Sequence, residues 1–329
     1  MVKDCAIGVI GAGQIGSRHL QALALMDRPV IIQVVDPVSE SLSIAKERFN
    51  EVKGTGAVQR VDYLGKIADM EPELDLVVVA TTAGVRRQVI ETLLTQKQVN
   101  YLLLEKVLFQ KLDDFSAVND LLTQNSVKTW VNFTRRMWPI IRELKERFQG
   151  ASPVNFNAIG GQWGLACNGL HYVDLFAYFT GELEIRLHSD LLSPEIIPST
   201  RPSHIELTGT LRGSSAGRNQ LAITSYATGN APFVLNITSH SARYSINENA
   251  GIVRISEAED GWKEHEKSFT TPFQSQLTQL AAQQILDTGQ CSLTGYEEAW
   301  KLHVPFIETV LAHLQRNYHL KEANTCPIT

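Results

Sequence analysis

The residues best suited to chemistry begin at Gly11. Gly11-Ala12-Gly13-Gln14-Ile15-Gly16 places glycine at the first, third and sixth positions. The stretch follows an apolar run and opens a segment of helical spacing, the setting in which such a loop holds a pyrophosphate. Gly11 permits a tight turn, Gly13 lets the backbone approach phosphate oxygens, and Gly16 lets the helix pack close to the strand. The helix start, with Gln14 and Ile15 in its first turn, offers N–H groups and partial positive charge. Asp36 stands twenty residues after Gly16, at the end of the next apolar run. A carboxylate there accepts hydrogen bonds from ribose hydroxyls and repels a 2′-phosphate. No Arg or Lys immediately follows it. Loop and acid together predict a dinucleotide site that favours NAD over NADP.

Further along, Lys106 follows an apolar run, so its ammonium is expected at the carboxyl edge of a sheet, where ligands of doubly wound folds bind. His171 carries an imidazole able to take a proton near neutral pH. Asp174 lies three residues on, on the same helical face. These two have no obvious third ligand, so no metal is expected. Arg135 and Arg136 close a strand; their guanidinium forks suit a carboxylate or phosphate, or an ion pair between domains. Trp163, in Gly-Gly-Gln-Trp-Gly, is placed either to stack on a sugar ring or nicotinamide or to plug the core. Arg86 and Arg87 open a helix, with solvent as the expected surroundings.

Positioning these residues requires alternating strands and helices. Apolar runs at 5–10, 30–35, 75–80, 101–104 and 129–133 read as strands buried on both faces. Helical spacing lies between them at 16–26, 39–49, 84–94 and 113–122, with Ser39 as an N-cap. This predicts a parallel, doubly wound sheet. After about residue 150 the pattern changes. Alternating runs at 204–211, 220–226, 233–239 and 251–255 predict an antiparallel sheet. Helices are expected at 171–179, ending at Gly181, and at 272–288 and 296–315, with a tail beyond. The expected fold is therefore α/β: an N-terminal doubly wound Rossmann domain, residues 1–135, and a C-terminal α+β domain, residues 136–329, with an open, mostly antiparallel sheet.

In their order along the chain, several segments resemble the Gfo/Idh/MocA oxidoreductases. They are Gly-Ala-Gly-Gln-Ile-Gly-Ser-Arg-His-Leu at 11–20, Val-Val-Val-Ala-Thr-Thr at 77–82 and Leu-Glu-Lys at 104–106. Val-Asn-Phe-Thr-Arg-Arg at 131–136 and Gly-Leu-His-Tyr-Val-Asp-Leu at 169–175 complete the set. The resemblance covers the first 180 residues. It implies hydride exchange between NAD(H) and a secondary alcohol or ketone of a sugar, inositol or nucleotide sugar. It implies Lys106 and His171 as catalytic residues. Thr81, Thr82 and Glu105 join the glycine loop and Lys106 at the cofactor; Asn168, Trp163, Arg135, Arg136 and Asp174 face the substrate. It also implies a homodimer or homotetramer joined through the C-terminal sheet. The chain departs from the family pattern at Cys167, where many members have aspartate, at Val107, where proline follows the Glu-Lys pair, and at Arg86, where a histidine is common. Those departures keep open a non-catalytic NAD-binding sensor or regulator, and a reductase of a non-sugar substrate.

Composition excludes several classes. Thirty basic against thirty-five acidic residues give a net charge of -5, unlike a globally basic nucleic-acid binder. Four cysteines without a C-x-x-C pair are too sparse for a disulfide framework. No apolar run approaches the length of a membrane span, and residues 1–5 lead into no long apolar leader. The expectation is a cytoplasmic protein acting on a small molecule, without nucleic-acid or membrane partners.

Overall fold

The computed structural model describes residues 5–148, 153–318 and 324–329. Residues 1–4, which enter the expectation about a leader, lie outside them. The chain divides into two compact units. The first comprises Met1–Phe109, Asp113–Thr134 and Pro272–Tyr296, and the second Gln110–Leu112, Arg135–Thr271 and Glu297–Thr329.

In chain order the first unit contains β1 (Cys5–Ile10), α1 (Gln14–Leu23), β2 (Val30–Val35), α2 (Ser39–Asn50), β3 (Val58–Leu64) and β4 (Glu73–Val79). These are followed by α3 (Ala83–Gln96), β5 (Gln98–Leu104), α4 (Asp113–Gln124) and β6 (Lys128–Val131). The second contains α5 (Pro139–Phe148), β7 (Asn155–Gly161), α6 (Leu165–Thr180) and β8 (Ile185–Leu192). Two short strands come next, β9 (Ile197–Pro198) and β10 (Ile205–Glu206). The second sheet is completed by β11 (Gly209–Ser215), β12 (Gln220–Tyr226), β13 (Val234–Thr238), β14 (Ala242–Asn247), β15 (Ile252–Glu257) and β16 (His265–Ser268). The chain then returns to the first unit through α7 (Gln274–Thr288) and β17 (Thr294–Gly295), before α8 (Tyr296–Tyr318).

The first sheet has the order β17-β6-β5-β4-β1-β2-β3, parallel throughout except where β17 joins β6. Its central strands are apolar because helices cover both faces: Val77, Val78, Leu102 and Leu103 are fully buried. Strand order reverses between β1 and β4, which opens a crevice at their carboxyl ends. The edge strand β3 escapes the sequence reading because Gln59, Arg60 and Asp62 interrupt its apolar positions; an edge strand need not be apolar on both faces. Nor is Ser39 an N-cap, since Val38 occupies that position without a side-chain bond.

The expected division at 135/136 needs correction, because Pro272–Tyr296 belongs to the first unit. Leu277, Ala281 and Ile285 form the buried side of α7, which packs on α1. Thr294 and Gly295 then pair with Val131 and Trp130 at the sheet edge.

The second sheet has the order β16-β15-β14-β13-β7-β12-β11-β8 and is antiparallel apart from the β7–β12 pair. Burial alternates along it: Leu221 and Ile223 in β12, Leu235 and Ile237 in β13, and Tyr244 and Ile246 in β14 point to the core. α6 packs on β12 and ends at Gly181, whose φ of 76° only glycine adopts at little cost. It begins at Leu165, earlier than expected, so His171 lies within the helix. The expected tail is also corrected. Cys326 N–H donates to Gln110 O at 2.8 Å, Ile205 N–H donates to Pro327 O at 3.0 Å, and Cys326 and Ile328 are fully buried.

Candidate functional site

In the first unit the glycine loop is built by close approach. A Cβ on Gly16 would lie 1.7 Å from Gly11 O, and one on Gly11, whose φ is 93°, would lie 3.0 Å from the backbone at Ala80 and Thr81. At Gly13, by contrast, a Cβ would meet nothing within 4 Å. Gly13 caps α1 without a side-chain bond, which leaves the amides of Gln14 and Ile15 directed out of the helix start. The side chain of Gln14 is engaged elsewhere, accepting from Arg48 Nη2 at 2.9 Å, so Gln14 offers its backbone. Ile15 is partly exposed.

Asp36 is held by this same loop. Its Oδ2 accepts from Ala12 N–H at 2.7 Å and its Oδ1 from Val38 N–H at 2.9 Å. Each carboxylate oxygen keeps a lone pair for a further donor. A cavity of about 700 Å³ runs from the loop past Asp36, Thr81 and Thr82 to Ile67, Val85 and Val89. Thr81 Oγ1 is buried there with no hydrogen-bond partner among the described residues. Open space at Gly13, outward amides and a fixed carboxylate fit a dinucleotide.

Glu105, expected at the cofactor, instead faces inward. It is 8% exposed. Its Oε1 accepts from His19 Nε2 at 2.9 Å and from Asn132 Nδ2. Burial pushes its pKa up, but the bond and charge of His19, the Asn132 donor and the Lys106 charge outweigh burial and hold it below the ordinary value. Since an ionised carboxylate only accepts, His19 Nε2 carries the hydrogen. His19 Nδ1 meets Thr278 Oγ1 at 2.8 Å, and Asn132 Nδ2 also donates to Gln274 Oε1 at 3.0 Å. This buried network joins α1, the ends of β5 and β6, and α7. Sequence spacing gave no hint of it, since His19 and Thr278 stand 259 positions apart. Lys106, half-buried, follows Glu105 directly, and the Lys106–Val107 peptide after it is cis. Arg86 does not face solvent but is buried in the same region, and Arg87 pairs with Glu91 and Asp114.

In the second unit a cavity of about 470 Å³ is lined by Trp163, Cys167, Asn168, Ser199, Arg201 and Glu206, among others. α6 organises it. Gly164 caps the helix at φ 80°, and Glu206 Oε2 accepts from Ala166 N–H at 2.9 Å, placing a carboxylate at the helix start. Asn168 Nδ2 donates to Trp163 O at 3.0 Å. Trp163 itself is both plug and wall: Nε1 donates to Thr224 O at 2.8 Å, and the ring meets Tyr172 and Phe233 edge-on at 5.3 and 5.0 Å. His171 follows Cys167 and Asn168 by one helical turn, so it shares their face of α6.

Arg135, Arg136 and Asp174, expected at the substrate, are engaged in ion pairs within the second unit. Arg135 donates to both carboxylate oxygens of Glu248 at 2.9 and 2.8 Å and to Tyr172 Oη at 2.9 Å. The Trp138 and Tyr172 rings flank it at 5.1 and 4.8 Å. Burial lowers its pKa, but Tyr172 and Glu248 outweigh that and raise it. Arg136 grips both oxygens of the fully buried Asp174, at 2.9 and 2.7 Å, and reaches Glu298 at 3.3 Å. The physical reason is desolvation, since a buried carboxylate needs a cation close at hand. Among the described residues, no cluster of three or more His, Cys, Asp or Glu side chains is arranged to hold a metal, and no helix is long and apolar enough to cross a membrane.

Comparison with known proteins adds to this geometry. Residues 5–133 match the Gfo/Idh/MocA family, described as an oxidoreductase family with an NAD-binding Rossmann fold. The uncharacterized oxidoreductase YrbE of Bacillus subtilis (strain 168) is 23% identical over 148 residues, 44% of this chain. That match spans only 40% of the length of YrbE. Among solved structures, scyllo-inositol dehydrogenase from Lactobacillus casei, with NAD(H) and scyllo-inositol bound, is similar at 17% identity and a TM-score of 0.66, covering 96% of this chain and 98% of that one. A super-repressor mutant of Gal80p from Saccharomyces cerevisiae is similar at 15% identity and a TM-score of 0.70, covering 95% and 96%. The fold is thus shared with both a dehydrogenase and a repressor, and over residues 5–133 this chain carries the NAD-binding Rossmann fold of the Gfo/Idh/MocA oxidoreductase family.

Proposed function

We propose that this protein exchanges a hydride between NAD(H) and a secondary alcohol or ketone of a sugar, inositol or nucleotide sugar. The observation that carries the reading is on α6, where Asn168 lines a cavity and His171 follows one turn along the same face. An imidazole one turn beyond Asn168 on α6, with Ser199, Asn168 and Trp163 in the cavity wall, suits a polyhydroxylated ring.

When bound, NAD supplies the hydride acceptor. Gly11, Gly13, Gly16 and the first amides of α1 would hold its pyrophosphate, and Asp36 its ribose hydroxyls. Thr81 and Thr82 would contact it from the loop after β4. The Asp36 carboxylate disfavours a 2′-phosphate, which supports NAD over NADP. Lys106 would hold the substrate oxygen and stabilise the negative charge it develops, while His171 takes the hydroxyl proton. Asn168 and Trp163 would orient the ring. The same reading expects a cytoplasmic homodimer or homotetramer assembled through the eight-stranded sheet.

A second reading, a non-catalytic NAD-binding regulator, is favoured by one observation. Asp174 is ion-paired with Arg136, and Cys167 stands where the family resemblance implies an aspartate. Turnover separates the two. Purified protein is assayed for NADH formation on a panel of sugars, inositols and nucleotide sugars. The enzyme reading expects activity on at least one, reduced roughly 100-fold or more in His171→Ala and in Lys106→Ala. Full activity in both variants contradicts the assignment, and NAD binding with no turnover on any member supports the regulator.

A further inference from the structure

We propose that Arg86 is a positioning residue that fixes the nucleotide-facing Thr81 loop and the Lys106 segment at one spacing. This rests on reading the first unit as a nucleotide site.

Arg86 and Arg87 are neighbours in α3 with opposite fates. Arg87 is 40% exposed on its side chain and pairs with Glu91 and Asp114. Arg86 is 1% exposed. Among the described residues its hydrogen bonds go to backbone carbonyls rather than to a carboxylate. Nη1 donates to Val107 O and to Leu108 O, the latter at 2.8 Å, and Nη2 donates to Thr81 O. Its Nε is buried with no hydrogen-bond partner among the described residues. Burial lowers its pKa to about 10, with the charge of Glu105 acting in the opposite sense, so it remains a cation at neutral pH.

Burying a guanidinium against uncharged carbonyls is costly, and its carbonyl bonds offset that cost only while both segments are held in place. Thr81 follows β4, and Val107 and Leu108 follow β5 just beyond Lys106. One planar fork therefore ties together the segments that follow two neighbouring strands, β4 and β5, the first of which lines the cavity. The fork is what matters. A lysine would keep the charge but bring a single ammonium, which cannot serve carbonyls on two separate segments in a fixed plane. A methionine would fill the volume and leave those carbonyls without the donor.

The test compares NADH affinity, from quenching of tryptophan fluorescence, with thermal melting in wild type, Arg86→Lys and Arg86→Met. Both variants are expected to bind NADH roughly tenfold more weakly or worse, the worth of one charge-assisted hydrogen bond expressed as affinity. That loss is expected to exceed any unfolded fraction at the assay temperature. In Arg86→Ala, millimolar guanidinium should restore part of the affinity, and sodium chloride at equal ionic strength should not. Binding within about twofold of wild type in Arg86→Lys and Arg86→Met, a loss that tracks only the unfolded fraction, or no rescue of folded Arg86→Ala would each overturn the proposal. If wild type itself binds no NADH, the nucleotide reading falls together with it.

Discussion

The two units prepare for a ligand with different materials. In the first, the ligand-facing groups are backbone amides, glycine hydrogens and a carboxylate pinned by its own loop, while its strongest side-chain interactions, those of His19, Glu105 and Arg86, turn inward. In the second, the cavity wall is made of side chains brought from the β7–α6 turn, α6 and the β9–β10 segment. A backbone site is encoded in one short stretch and tolerates little change in it. A side-chain site draws on distant positions, each held by its own local bonds.

The largest effects should come from breaking the backbone site. Gly16→Ala drives a methyl into Gly11 O, so about 3 kcal/mol of stability and essentially all NADH affinity should be lost. Gly13→Ala sharpens the contrast, because its methyl enters open space. Stability should stay within about 1 kcal/mol while affinity falls roughly tenfold. Urea unfolding and fluorescence titration read both quantities, and equal destabilisation by the two substitutions would refute the comparison.

In the second unit, Asp174→Asn leaves Arg136 short of its buried partner. A loss of about 3 to 5 kcal/mol is expected, against less than about 1 kcal/mol for Arg87→Gln at an exposed pair. The same urea measurements decide this. A mild Asp174→Asn would mean that Glu298 suffices for Arg136.

Acid titration examines the inward network of the first unit. The folded state holds the Glu105 pKa below its unfolded value of about 4.3. Its contribution is therefore complete above that unfolded value and lost as pH falls through the lower folded one. Wild type should lose stability on acidification more steeply than Glu105→Gln across that window, as followed by melting temperature. Parallel curves would show that the fold does not lower this pKa, and a shallower wild-type curve would show that the carboxyl is neutral in the fold. A small effect is expected from Trp163→Phe, which forfeits the bond to Thr224 O, about 1 kcal/mol.

What the sequence revealed follows the same divide. Gly11, Gly13, Gly16 and Asp36 were legible because their physical requirements are local: a turn, a close approach and a helix start. The buried central strands were legible because covering both faces demands unbroken apolar runs. The fates of Arg86, Arg135, Arg136 and Asp174 were not, because each depends on a partner that only the fold supplies. Glu248 reaches Arg135 across 113 positions. Arg86 and Arg87 are identical in type and adjacent, and only packing of α3 separates the buried one from the exposed one. α7 reads as an ordinary amphipathic helix, and nothing in its own spacing says that it returns to the first unit.

The central claim is that the first unit's nucleotide is used for chemistry on a hydroxyl. It is tested most directly by a single turnover. Protein loaded with NAD is mixed with individual polyols and sugars, and NADH fluorescence is recorded. The account predicts bound NADH from at least one compound in wild type and none at the same rate in His171→Ala. Tight NAD binding with no reduction by any compound, or reduction unchanged in His171→Ala, would contradict it.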